Sequence, residues 1–292
     1  MNALGNVLYA RARLISIATS LANVQEILAQ ADAELAACRK ENAHSQLCDN
    51  NYLQVYARAA QRTYLAGSDP QPQLERALET LTTLHKQGGN FLDVEQHAAL
   101  VQLVGASNQV RKHQDPEAAL KELHAALTRC FAIGAQDAMC RTLAAQGELL
   151  AAEREAQLDK PTVPILKRAL KRAIEATKIP ETYPDAWQVL AETYLRLAQA
   201  AGIQPQARDQ YVTAGVTAVQ KVFAINPRHA LGLATLGELE VLRAHSQADP
   251  EARHKSAQAA VTALAQALAS DPFLSPSRSA LLAQAKAMTT AP

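Results

Sequence analysis

Residues 233–272 read LATLGELEVLRAHSQADPEARHKSAQAAVTALAQALASDP. Before the proline at 250, Leu233, Leu236 and Val241 recur at the spacing of one helical face. After it, Ala257, Ala260, Val261, Leu264, Ala267 and Leu268 do the same. Asp249 precedes Pro250, and that dipeptide is a helix start. The carboxylate can accept from the free N–H groups of the first turn, where proline's fixed φ fits and its missing N–H is no loss. The stretch therefore predicts a helical hairpin.

Working outward, proline recurs at Pro70, Pro116, Pro161, Pro205 and Pro250, with separations of 46, 45, 44 and 45 residues. Asp69, Asp115 and Asp249 precede three of them. A further copy lies ahead of the first proline, because Tyr9-Ala10-Arg11-Ala12 returns as Tyr56-Ala57-Arg58-Ala59, 47 residues later. A fixed period of this length marks a repeat architecture in which each unit buries its apolar face on its neighbours. The whole chain, 1–292, is expected to be one all-α solenoid of about six hairpins. These fall near 1–45, 46–90, 91–134, 135–180, 181–227 and 228–272, with a closing helix over 274–289 whose Leu281 and Leu282 face inward. Thirteen helices of roughly 14 to 20 residues follow, each about 20 to 30 Å long.

Composition supports an all-helical chain. Ala, Leu and Gln dominate, there are 11 glycines, aromatics make up 4%, and no stretch alternates β-branched with polar residues as a half-buried strand would. The 29 basic and 28 acidic residues balance. Without the Lys and Arg excess that phosphate-backbone contact needs, nucleic acid is not an expected partner. Apolar stretches such as Leu14 to Leu21 are too short to cross a bilayer, so no membrane insertion is expected. Met1-Asn2-Ala3-Leu4 lacks a basic segment followed by an apolar core and a cleavage site, so no export signal is expected either. A soluble chain, cytoplasmic by default, is the expectation.

A period near 45 suits HEAT or armadillo arrays as well as an extended tetratricopeptide unit, and the residues within it favour the second. Trp187, Leu190, Ala191 and Tyr194 spell WxxLAxxY, which resembles the first helix of a tetratricopeptide repeat, and Leu233, Leu236 and Gly237 spell LxxLG one period on. Ala260, Leu264, Ala267 and Pro272 follow the second-helix pattern AxxxFxxAxxxxP, with Leu for Phe. The specific motifs lie in the last two units, about a third of the chain. The resemblance implies a right-handed α-solenoid in which small residues let helices approach and large ones fill the gaps. The family's usual period is about 34, so each unit carries roughly 11 extra residues. They are expected between its two helices, around Gly67-Ser68-Asp69-Pro70 and Ser246 to Pro250, giving longer first helices and longer turns.

Long repeats with a DP step also resemble the carboxy-terminal tetratricopeptide regions of bacterial serine/threonine protein kinases, notably myxobacterial ones. The implied role is to recruit substrates or regulators to a kinase. The chain holds no GxGxxG loop, VAIK-like lysine, HRD or DFG, so catalysis would lie elsewhere, and no catalytic residue, cofactor or metal is expected here. The alternative is a free-standing adaptor or co-chaperone. In such arrays first helices line the concave wall, and residues just after the small residue of WxxLA point into it. Here these are Arg11, Arg58, Glu192 and Glu238, with Arg62 and Arg196 one turn further on. The resemblance implies a protein or peptide partner in a groove basic toward the N-terminus and acidic toward the C-terminus. Family members that grip a peptide's terminal carboxylate use Asn and Lys at such places, which argues against that ligand.

Three further patterns stand out. Cys38 and Cys48 are ten residues apart, as are Cys130 and Cys140, and the pairs are displaced by 92 residues, two periods. They read as small buried core residues or as two disulfides closing loops of about ten residues. Each disulfide would add about 2 to 3 kcal/mol and would place the region in an oxidising compartment. A metal or redox site is a third reading, against which the usual zinc-ligand spacing of two to four residues tells. The eight histidines (His44, His85, His97, His113, His124, His229, His245, His254) form no HExxH; His113 and His245, just ahead of DP steps, read as exposed turn residues. Lys167, Arg168, Lys171, Arg172 and Lys178, relieved by Glu175, read as a solvated outer helix face, with docking to an acidic partner as the alternative.

Overall fold

The computed structural model describes residues 20–41, 45–179 and 183–290. Every regular element among them is helical. In order these are α1 (Leu21–Glu41), α2 (Gln46–Leu65), α3 (Gln71–Lys86), α4 (Leu92–Arg111), α5 (Glu117–Ile133), α6 (Ala138–Gln157) and α7 (Val163–Thr177). There follow α8 (Pro184–Gln199), α9 (Pro205–Ile225), α10 (Ala230–Ser246), α11 (Pro250–Ser270), a 3-10 turn at Pro272–Leu274 and α12 (Ser275–Thr290). The expected first helix, with Arg11, and also His44, lie outside the described residues.

The chain forms two compact units, Met1–Ala135 and Gln136–Pro292. In the first, α2 packs along α3 and α4 along α5, α2 lies beside α4, and α1 and α3 pack on the first helix of the following pair. In the second, α6 pairs with α7, α8 with α9 and α10 with α11; α6, α8 and α10 lie side by side, and α7, α9 and α11 pack on α8, α10 and α12. Contacts thus stay between near neighbours in sequence, as in repeat packing. The first helices are enclosed: α2 buries Cys48, Asn51, Leu53, Val55, Ala57, Ala59 and others on nearly every side. The second helices bury one face, Leu74, Ala77, Leu81 and Leu84 in α3 for example, and leave the other in water. The closing helix α12 contributes Leu281, Leu282, Ala285 and Met288 to a core with Val241, Ala260 and Leu264.

The start of each first helix keeps a strict register. The residues preceding α2, α4, α6, α8 and α10 are Ser45, Phe91, Asp137, Tyr183 and His229, each 46 residues after the last, and Ser275 opens α12 after one more such step. The break inside a pair drifts. Links 66–70, 112–116 and 158–162 keep the 46-residue step, but the next, 200–204, comes one helical turn early. Accordingly α2, α4 and α6 have 20 residues each, α8 and α10 have 16 and 17, and α9 and α11 lengthen to 21. The expectation of long turns is thereby corrected: the additional residues lie in helices, and no link inside a pair exceeds the length of 66–70. An added helical turn satisfies its own hydrogen bonds and extends a buried stripe, whereas each added loop residue costs about 1–2 kcal/mol of ordering entropy.

Turn chemistry repeats with the register. Gly67, His113 and Asp159, 46 residues apart, all have positive φ (75°, 55°, 55°). Each closes the preceding helix with the paired bonds of a Schellman motif, Gly67 N to Tyr64 O at 2.9 Å and Ser68 N to Thr63 O at 3.1 Å in the first case. The DP carboxylates then cap the following helix, Asp69, Asp115 and Asp249 accepting from Gln71, Glu117 and Glu251 N–H at 3.3, 3.2 and 3.3 Å. His113 is accordingly an exposed turn residue. Pro161 departs from the pattern, since α7 begins two residues beyond it.

Candidate interaction surfaces

The charged first-helix residues fall into two groups. Arg58 and Arg62 lie on α2, both half-buried, with Arg58 Nη1 donating to Gln61 Oε1 at 3.2 Å. In the second unit Glu192 and Arg196 on α8 form an i, i+4 pair at 3.8 Å, and Gln188 Nε2 donates to Glu192 Oε2 at 3.2 Å. Glu238 on α10 is largely buried and ion-paired to Arg278 of α12 at 2.8 Å. Burial raises its carboxyl above the usual range, opposed by the Arg278 and Arg196 charges. Glu192, Arg196, Glu238 and Arg278 thus form one charged cluster that ties the closing helix to the array.

Cys38 at the end of α1 and Cys48 in the first turn of α2 are joined by a disulfide, their Cα atoms 6.6 Å apart. Cys130 and Cys140 are disulfide-bonded as well, and no cysteine is free. Arg39 and Asp49, one residue on from each partner of the first bridge, form an ion pair at 2.9 Å with Asp49 buried. The basic run on α7 is partly neutralised: Arg168 and Arg172 hold Glu148 of α6 at 3.2 and 3.1 Å, and Arg141 lies 3.9 Å from Glu175.

Sequence reasoning missed three structural histidines. His229 caps α10, its Nδ1 accepting from Gly232 N–H at 3.0 Å, which directs the Nε2 proton to Asp185 at 2.8 Å. His97 is buried in α4, its Nδ1 2.7 Å from Asp93 O, and burial, reinforced by the Arg58 charge, lowers its pKa to about 4. His85 lines a cleft in the first unit, the later along the chain of a pair one register step apart. That cleft, about 310 Å³, opens between α3 and α5 over α4 and is walled by Thr82, His85, Gln102, Glu122 and Arg129. Beside it Glu95, fully buried, receives His85 Nε2 and Arg129 Nε at 2.9 Å each.

The first cleft, about 420 Å³, lies one register step earlier, between α1 and α3 over α2; Tyr56 in it and Gln102 in the second cleft are 46 residues apart. Asp32 receives the hydroxyl of Tyr52 on Oδ1, and that of Tyr56 is shared between its two oxygens at 3.1 Å. The tyrosine rings stand 4.6 Å apart, tilted by 43°. Burial, with the Asp32 carboxylate adding to it, raises both phenols above their ordinary pKa. Gln73, Glu75 and Arg76 of α3 form the opposite wall.

No known family model matches the chain, and no characterised protein matches it. No described helix is long and apolar enough to cross a membrane.

Proposed function

We propose that this chain is a protein-interaction scaffold whose partner is a protein or peptide. The observation that carries this reading is the neighbour-to-neighbour packing of helix pairs. Within each unit it fixes side chains at repeating positions, and in the first unit it leaves clefts between successive second helices. Arg58 and Arg62 on one unit, and Glu192 and Arg196 on the other, are the first-helix charges through which a partner is held. The resemblance to tetratricopeptide regions of bacterial serine/threonine kinases gives the finer reading: the chain is the regulatory or substrate-docking arm of such a kinase, and catalysis resides elsewhere. The oxidised cysteines support a working place in an oxidising compartment, outside the reducing cytosol.

The test is cross-linking of the tagged chain in its source cells, with the bound partner identified and titrated against wild type and an Arg58→Glu/Arg62→Glu variant. Lost binding with unchanged helicity is the expected result; retained affinity removes these residues from the site. An antibody to this region separates the two forms of the scaffold. A band far above the 31.4 kDa of this chain supports the kinase arm, and one near it replaces that with a free-standing adaptor or co-chaperone.

A further inference from the structure

We propose that the cleft between α1 and α3 receives a lysine or arginine side chain of the partner, an inference that rests on the scaffold reading for the existence of that partner. Asp32, Glu75 and Gln73 on its walls offer acceptors, and Arg76 is the one charged donor among them. Asp32 keeps lone pairs beyond those used by Tyr52 and Tyr56. Glu75 stands exposed at the rim, with Gln71 Nε2 on one oxygen at 3.1 Å. Gln73 is only 5% exposed, and its buried Oε1 has no hydrogen-bond partner. A buried carbonyl oxygen left unpaired is costly in a folded protein and marks a place where a donor is missing.

Charge points the same way. Asp32 and Glu75 face one guanidinium, Arg76, which leaves the lining with one excess negative charge. An incoming ammonium or guanidinium brings three or five donors to this acceptor set. Its aliphatic stem would lie against Leu28 and the Tyr56 ring while its head pairs with Asp32; a small shift of the Gln73 side chain would bring the unpartnered Oε1 to it as a further acceptor. An anionic side chain would find Arg76 as its one cationic neighbour, set against the Asp32 and Glu75 carboxylates. The neighbouring cleft, with Arg129 and His85 on its walls, lacks this bias, so the preference belongs to the first cleft and not to the repeat in general.

The test titrates the 15N-labelled full chain with N-acetyl-arginine methylamide, N-acetyl-lysine methylamide and, as an uncharged control, N-acetyl-norleucine methylamide, following backbone amide shifts. The basic probes are expected to give saturable shifts confined to residues 25–32, Tyr56 and 73–76, weakened by added salt, and norleucine none. Glu75→Gln, on an exposed side chain that folding does not need, should raise the dissociation constant about 2- to 5-fold, and Gln73→Leu about 10-fold. Equal response to norleucine, shifts that spread without saturating, or wild-type affinity in both variants would overturn the proposal. A flat titration alongside Arg58- and Arg62-dependent capture of a partner defeats the cleft alone. A positive titration with no partner captured keeps the cleft and defeats the scaffold reading.

Discussion

Helix-interior glycines give opposite, calculable signs in this chain. A Cβ built on Gly237 in α10 would lie 2.5 Å from Leu264 Cγ and 2.8 Å from its Cδ2. Leu264 in α11 is fully buried, in a core with Val241, Ala260 and Ala285, and Cγ is the branch point of its side chain, so the whole isobutyl group must move. Overpacking of this kind costs about 1–3 kcal/mol, and replacing a helical glycine by alanine returns about 0.5–1 kcal/mol. Gly237→Ala should therefore destabilise the second unit by about 1 kcal/mol, and Gly237→Leu by several times that. Gly105 in α4 is the control: its nearest neighbour, Leu74 Cδ1, stands 3.8 Å from the added Cβ, so Gly105→Ala should stabilise the first unit by about 0.5–1 kcal/mol. Gly215 lies between these. Its Cβ would sit 2.9 Å from Leu239 Cδ1 and Cδ2, the mobile ends of that side chain, and the expected change is near zero. The assay is native-state hydrogen exchange read by mass spectrometry, which reports opening of each unit separately and needs no single two-state transition. Gly237→Ala as stable as wild type, or Gly105→Ala destabilising, would refute the helix–helix distances on which the reasoning stands.

Acidification should weaken the first unit selectively. The His97 pKa of about 4 lies below the ordinary value of 6.5, so the unfolded chain takes up a proton that the folded one refuses. Stability, full above about pH 6.5, then falls by up to about 3 kcal/mol as pH drops toward 4. In the second unit Glu238 and Glu240, raised by burial, bind protons more readily when folded and pull the other way, so exchange should rise in 92–111 before 230–246; a uniform response would count against this. Paired Cys38→Ser and Cys48→Ser substitutions should cost about 2 to 3 kcal/mol through the ten-residue loop, seen as a lower urea midpoint, and an unchanged midpoint would show that the bridge adds nothing. Val222→Cys with Gly232→Cys should create a further bridge, since Val222 Cγ1 lies 3.0 Å from where a Gly232 Cβ would be; persistent free thiols under air would show that the backbones stand too far apart.

Much of the array was legible because prolines, capping aspartates and apolar spacing act locally. The hairpin built from residues 233–272 is α10 and α11, with Gly237 of the first helix against Leu264 of the second. What was hidden depends on contacts between helices. Glu95 appears in the sequence as one more polar residue, and only the packing of α3 and α5 on α4 buries it between His85 and Arg129. Tyr56 was visible as part of a recurring tetrapeptide, yet its tie to Asp32, 24 residues away, has no sequence signature. The longer first helices expected of each unit are present in α2, α4 and α6, whereas the longer turns are not, because proline marks where the second helices begin and nothing marks how far the first ones run.

The register explains why first-helix starts hold at 46 residues while the breaks between partners drift. Ser45, Asp137 and His229 cap Cys48, Cys140 and Gly232, three residues on. Ten residues before those stand Cys38, Cys130 and Val222, all fully buried. The same two positions in the intervening repeats hold Leu84 with Val94 and Ala176 with Ala186, also buried, behind the uncapping Phe91 and Tyr183. These positions resist slip, because a shift of one residue would rotate a closely packed side chain by 100° against its neighbours. The link inside a pair is mostly exposed, and its position moves by a turn between 158–162 and 200–204. From Ser45 to His229 polar and aromatic residues alternate ahead of the first helices, so this one position repeats its character every 92 residues although the helix starts recur every 46. Within the first unit, two clefts one register step apart carry different linings, Asp32, Glu75 and Gln73 in one and Arg129 with His85 in the next.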